Sequence, residues 1–227
     1  MSDSTSPTTL EEALAALERY GDPKFRAVSV RRGAPDNQFG VKTADIRAIA
    51  KSIKTNHDLG LQLWASGNVD AMLLATLVMK PALLSTEDME RMEAPLTYTH
   101  VADWLNTNVV KRHPNKEAIR RRWMESSNAM LARAGWSLTT ERVVKTPDGL
   151  DLVALLDRIE REMADAQPAA QWTMNHCLAE IGIRFAEYRE RAVAIGEKLG
   201  LYREYRASKG CTSPFAPAWI GAMVARL

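Results

Sequence analysis

Apolar residues recur along this chain every three or four positions, and no stretch alternates convincingly in the manner of a strand. That period constrains the fold most, because it gathers apolar side chains on one stripe of an α-helix. Leu10, Ala13, Leu14 and Leu17 show it first; Thr8 with Glu11 three residues on reads as a capping box, and Gly21 closes the segment. Asp22-Pro23 restarts the chain with a cap and a proline at the first helical position, ahead of Phe25, Val28 and Val30. Residues 33–40 form a polar turn, and Thr43 is expected to cap a helix carrying Ile46, Ile49, Ala50 and Ile53. Further helices are expected near residues 57–65, 69–79, 86–93 and 98–111. Pro114 is expected to open one through Trp123, and Asn128 one through about Leu138; residues 148–163, 168–182 and 185–199 complete the set.

The connections are short and rich in Gly, Pro, Asn and Ser. Short connections make sequential helices antiparallel, so the elements pair as hairpins. A hairpin cannot bury its own apolar face and has to stack on the next. The expected fold is therefore all-α, a HEAT-like solenoid in one domain spanning residues 1–227; a globular helical bundle is the alternative. Residues 1–8, Ser/Thr-rich, are expected to be disordered, and residues 204–227 to form a tail on the last repeat.

At 227 residues, with 46% hydrophobic and 26% charged side chains, the chain can bury a core of its own. Its start lacks the basic residues and long apolar run of a signal peptide, and its longest apolar stretch, Met72 to Met79, is too short to cross a bilayer. A cytoplasmic protein without membrane contact is expected. Cys177 and Cys211 form no CxxC pair, and His57, His100, His113 and His176 share no ligand spacing, so neither metal nor cofactor is expected. Net charge is only +2, yet the charges are segregated. Basic residues cluster at Lys42, Arg47, Lys51 and Lys54 and again at Lys111, Arg112, Lys116, Arg120, Arg121 and Arg122; acidic ones gather in residues 11–18, 87–93 and 157–165. A near-neutral chain with this distribution can present a basic face to phosphates.

Three segments add to this pattern. Phe39-Gly40-Val41-Lys42 followed by Ile46-Arg47-Ala48-Ile49-Ala50-Lys51, then Tyr98-Thr99-His100-Val101-Ala102-Asp103-Trp104, then Asn128-Ala129-Met130-Leu131-Ala132-Arg133-Ala134, resemble in order and spacing the DNA alkylation repair family, the HEAT-like alkylpurine DNA glycosylases. The resemblance covers roughly residues 33–199. It implies a monomer acting on double-stranded DNA that carries N3- or N7-alkylated purines. It also implies that Trp104 is the family's central tryptophan and Arg133 its DNA-facing arginine. The family's catalytic aspartate falls on Asn108 and its second tryptophan near His176, with Trp172 one turn earlier as a substitute. The tail Ser208-Lys209-Gly210-Cys211-Thr212-Ser213-Pro214-Phe215-Ala216-Pro217 looks like that of one branch of the family. It reads either as a lid packing Phe215 and Trp219 onto the last repeat, or as a phosphate contact through Lys209 and the Gly210 amide.

The chemistry the resemblance implies is demanding. Departure of an alkylated purine leaves positive charge on the sugar, and a carboxylate nearby stabilises it. A unit charge at about 4 Å is worth roughly 4 kcal/mol near a protein surface, so an amide in its place slows excision on the order of a thousandfold. Trp104 and Asn108, four residues apart, share a helix face; Asp103, the neighbouring carboxylate, points about 100° away. Arg133 on the following hairpin is expected to hold a phosphate. Three functions follow: a repair protein with weak or altered glycosylase activity, a non-catalytic binder of damaged or branched DNA, and a helical-repeat scaffold for protein partners. A basic concave face centred on Trp104 and Arg133 favours the first two, and base release separates them.

Overall fold

The computed structural model describes residues 7–208 and 210–226, and among these there are thirteen α-helices, two short 3-10 turns and no strand. The chain divides into two compact units, Met1–Lys116 and Glu117–Leu227.

The first unit contains α1 (Leu10–Arg19), α2 (Pro23–Arg31), α3 (Thr43–Ile53), α4 (His57–Ala65), α5 (Val69–Val78), α6 (Thr86–Glu93) and α7 (Thr99–Asn108). Its centre is α5, which packs against α1, α3, α4 and α7. Eight of its ten residues are buried, because its sequence is apolar all round rather than on one stripe. Asn68 caps it, accepting the Ala71 N–H at 3.1 Å. Asp70, in its first turn, is 3% exposed, and its carboxylate accepts three consecutive backbone N–H groups, from Phe39 (2.7 Å), Gly40 (3.0 Å) and Val41 (3.1 Å). Burial pushes the Asp70 pKa up, against the pull of those three donors. Gly40 sits at φ +82 with a would-be Cβ only 2.7 Å from the Asp22 carbonyl oxygen, so only glycine lets the loop run close enough.

In the second unit are α8 (Lys116–Met124, beginning at the last residue of the first unit), α9 (Ala129–Lys145), α10 (Leu152–Glu162), α11 (Pro168–Arg184), α12 (Ala186–Leu199) and α13 (Ala216–Val224). Helices α9 and α11, seventeen residues each, lie side by side, and α10, α12 and α13 pack against α11. The core is made of Trp136, Leu156, Ile159, Met174, Leu178, Ile181 and their neighbours. The tail helix α13 is seated on α11 at Gly182, where any Cβ would stand 2.6 Å from Ile220 Cδ1.

Several boundaries differ from the sequence expectation. The capping box is Thr9 with Glu12, one residue later than Thr8 with Glu11. Both pairs have the required spacing, but the later one lets the Glu12 carboxylate accept the Thr8 and Thr9 N–H groups together, at 2.8 and 3.2 Å. The same bonds hold Thr8, which was expected to be disordered with residues 1–7; residues 1–6 lie outside those described. Thr43 is the first residue of α3 rather than its cap; Lys42 takes the cap position without a side-chain bond. Helix α9 continues to Lys145, and α10 starts at Leu152 under an Asp151 cap rather than at Asp148, because Arg142 binds the Thr146 and Asp148 carbonyls (2.9 and 2.8 Å) and keeps that loop out of the helix.

Replacing Asp70 with alanine strands three donors around a buried site, each costing about 1–3 kcal/mol. We expect Asp70→Ala to lower unfolding free energy by about 3–5 kcal/mol in urea titration; a loss under 1 kcal/mol would show that the 39–41 loop does not depend on this carboxylate.

Candidate nucleic-acid interface

In the first unit the residues of interest converge on α7 and α3. Tyr98 precedes α7, His100 lies in its first turn, and Trp104 follows one turn later. Their rings form a ladder, Tyr98 to His100 and His100 to Trp104 each 5.8 Å between centroids. Arg47 of α3 lays its guanidinium over the Trp104 ring, 4.8 Å from the centroid, a cation–π geometry worth about 0.5–1 kcal/mol at an exposed site. Trp104 is half-buried while Arg47 is exposed, so this pair is at the surface. Lys51, one turn beyond Arg47, is exposed, as is Lys42, whose Nζ lies 3.8 Å from Asp22 Oδ2. Burial pulls the His100 pKa down, with the Asp103 carboxylate opposing and the nearby Arg32 adding to the shift.

Trp104 and Asn108 stand one turn apart on α7, but only Trp104 reaches the surface. Asn108 is 5% exposed, and its Nδ2 donates to the Trp104 carbonyl at 3.0 Å and to Thr76 Oγ1 of α5 at 3.3 Å. The amide is a strut between α7 and α5. Asp103, which precedes Trp104, is half-buried. Of the cations near the end of this unit, Arg112 is exposed and Lys111 half-buried. His113 is structural: its ring nitrogens pair with the Leu84 carbonyl (3.1 Å) and the Asn115 N–H (3.1 Å).

The second unit corrects two expectations. Arg133, expected to face a phosphate, is 8% exposed and donates through Nη1 to the Ala169 carbonyl in the first turn of α11 at 3.0 Å. Arg120, expected in a phosphate-facing run, is also 8% exposed. Its Nε and Nη2 fork onto Glu117 at 2.8 Å each and its Nη1 reaches Thr139 Oγ1 at 3.2 Å. Arg121, which remains exposed, and Arg142 join the same carboxylate at 3.1 and 3.5 Å. Both buried arginines thus spend their charge inside the unit, because a lone buried guanidinium is costly and satisfied acceptors lie within reach.

On α11, Trp172 meets Tyr202 edge-on at 5.2 Å and Tyr205 at 6.0 Å, and His176 stacks on Trp219 of α13 at 4.9 Å and 24°. His176 Nε2 lies 3.6 Å from Glu180, whose pKa is lowered by His176 and by Arg184. Asn175 Nδ2 donates to the Pro214 carbonyl at 2.9 Å, Arg203 covers the buried Phe215 ring at 4.5 Å, and Trp219 sits on α11 through His176. The tail therefore packs as a lid on this unit; Lys209, named for a phosphate contact, lies outside the described residues. Burial pushes the Cys177 thiol up to about 12, which makes it inert. Sequence reasoning missed Tyr98 and His100 as members of the Trp104 ladder, although the four-residue step from His100 to Trp104 was a usable signal. Tyr202 and Tyr205 carried none, since they lie after the last periodic helix.

The helical stack, with no strand among the described residues and no helix long and apolar enough to cross a membrane, defines a HEAT-like repeat protein. It superposes on a solved protein described as one of a new family related to the HEAT-like repeat DNA glycosylases, with affinity for branched DNA structures. The TM-score is 0.82 at 22% identity, covering 96% of this chain and 95% of that one. Two similar curated proteins are the uncharacterized protein Lin0241 of Listeria innocua serovar 6a and Lmo0209 of Listeria monocytogenes serovar 1/2a. Each is 24% identical over 217 residues, 93% of this chain and 94% of its own length. The family model for DNA alkylation repair enzyme matches residues 13–220, and this chain belongs to that family.

The Glu117 cluster has a pH signature. Its arginines hold the Glu117 pKa down to about 2, against an ordinary 4.5. A depressed folded pKa means stability that is complete above about pH 4.5 and lost as pH falls towards 2. Thermal unfolding of Glu117→Gln across pH 2–7 should show a lower Tm at neutral pH that converges on wild type at the acid end. Parallel curves would contradict the assignment.

Proposed function

We propose that this protein binds DNA as a non-catalytic member of the alkylation repair family, recognising damaged or branched duplexes in the cytoplasm as a monomer. The observation that carries this reading is Asn108. At the position the family resemblance gives to the catalytic aspartate stands an amide, buried and turned inward onto Thr76 and the Trp104 carbonyl. An amide supplies no charge to a departing base's sugar, and this one is held inside the unit by both of its bonds. The surface beside it keeps what binding needs: aromatic faces at Tyr98, His100 and Trp104 on and just before α7, and cations at Arg47 and Lys51 of α3 and at Lys42, its N-cap, for backbone phosphates. The structural neighbour's affinity for branched DNA supports the same reading.

The competing reading, excision, would run through Asp103, the half-buried carboxylate preceding Trp104. Release of N7-methylguanine and N3-methyladenine from methylated duplex DNA separates the two. We expect release at the spontaneous rate alongside retardation of a three-way junction that weakens steeply with salt. We expect Arg47→Ala to weaken that binding about three- to tenfold and reduce the salt slope by about one. Base release well above spontaneous overturns the non-catalytic reading, and absence of binding to any DNA overturns the DNA reading. Asn108→Asp is an informative companion. It places a carboxylate against the Trp104 carbonyl oxygen, so we expect a stability loss of about 1–3 kcal/mol rather than simple restoration of a catalytic site.

A further inference from the structure

Trp172, Tyr202 and Tyr205 form an aromatic cluster that the Trp104 face does not use. The three rings lie 5.2–6.4 Å apart in edge-on and tilted contacts. Tyr202 holds a left-handed backbone, φ +63, an unusual conformation for a bulky residue. Such conformations persist where surrounding structure imposes them and gather at binding sites. Its hydroxyl donates to Gln171 Oε1 at 3.3 Å, which fixes the ring over the start of α11. Tyr205 is 52% exposed, leaving much of its ring open to solvent. A cluster serving only to glue the chain after α12 to α11 would bury that ring.

One turn further along the same face of α11, His176 and Trp219 make a second, stacked platform. Residues four apart on a helix are about 6 Å apart along its axis, whereas bases in a B-form strand rise about 3.4 Å. Two platforms at the wider spacing do not match stacked, paired bases; they match successive bases in a strand drawn out of the duplex. Aromatic faces receive any base in that way, without sequence preference. The exposed Arg206, next to Tyr205, supplies a cation for the connecting phosphate, opposed by the exposed Glu204 on the other side of Tyr205 and, at the second platform, by Glu180, 3.6 Å from His176.

We infer that the Trp172–Tyr202–Tyr205 cluster, continued by His176 and Trp219, is a stacking site for unpaired DNA nucleotides, such as those at a fork or junction. This rests on the DNA-binding reading above and specifies which part of a branched substrate the second unit takes. The test compares wild type with Tyr205→Ala and Tyr205→Phe by fluorescence anisotropy. The probes are a fully paired duplex and a fork with a short single-stranded arm carrying 2-aminopurine. We expect Tyr205→Ala to weaken fork binding about five- to a hundredfold, to relieve the quenching of 2-aminopurine that stacking causes, and to leave duplex affinity within twofold. Tyr205→Phe, which keeps the ring, should behave as wild type. Equal loss on fork and duplex, or no loss on the fork, overturns the stacking site. Wild-type binding to duplex with no preference for the fork overturns it while leaving the DNA reading intact; wild-type silence on both DNAs overturns both.

Discussion

Helix α5 is ten residues long and has only two polar side chains, Asp70 and Thr76, both buried and each holding a neighbouring element. Asp70 gathers the N–H groups of Phe39, Gly40 and Val41, and so fixes the turn from which α3 departs. Thr76 receives the Asn108 amide and fixes the end of α7. Arg47 rides on α3 and Trp104 on α7, so the cation–π pair at the surface depends on two buried hydrogen-bonding centres one helix deeper. Burying polar groups in an apolar helix is tolerable only when they are satisfied, and here satisfying them is what positions the candidate interface.

The same constraint sorts the arginines. Arg120 and Arg133 are drawn inward because Glu117, Thr139 and the Ala169 carbonyl offer acceptors at bonding distance. Arg158 is likewise held by Glu125, Glu162 and the Met124 carbonyl while covering Trp136. Arg47, Lys51 and Arg112 stay exposed at the surface. A chain of net charge +2 therefore shows phosphate-binding capacity only where cations remain on the surface, and that subset is smaller than the basic clusters in the sequence.

Asn108 serves the fold of α7 directly. One turn after Trp104, its amide forms a bond that an ionised carboxylate could not make: it donates to a carbonyl. A donor there stabilises the helix end.

The all-α class, the order of the helices and the Trp104 helix were legible in the sequence, because helical periodicity, caps and prolines are local properties encoded within a few residues. The exact caps at Thr9 and Asp151 were not, since neighbouring residues of equal propensity compete and the choice falls to whichever completes more backbone bonds. Tertiary structure alone decided which way Asn108 turns, that Arg120 and Arg133 are spent internally, and that Tyr202 and Tyr205 meet Trp172. Each of these depends on partners some 20 to 40 residues away, Thr76, Thr139, Ala169 and Trp172, whose approach no local pattern specifies; for Arg120 the local Glu117 pair adds to Thr139.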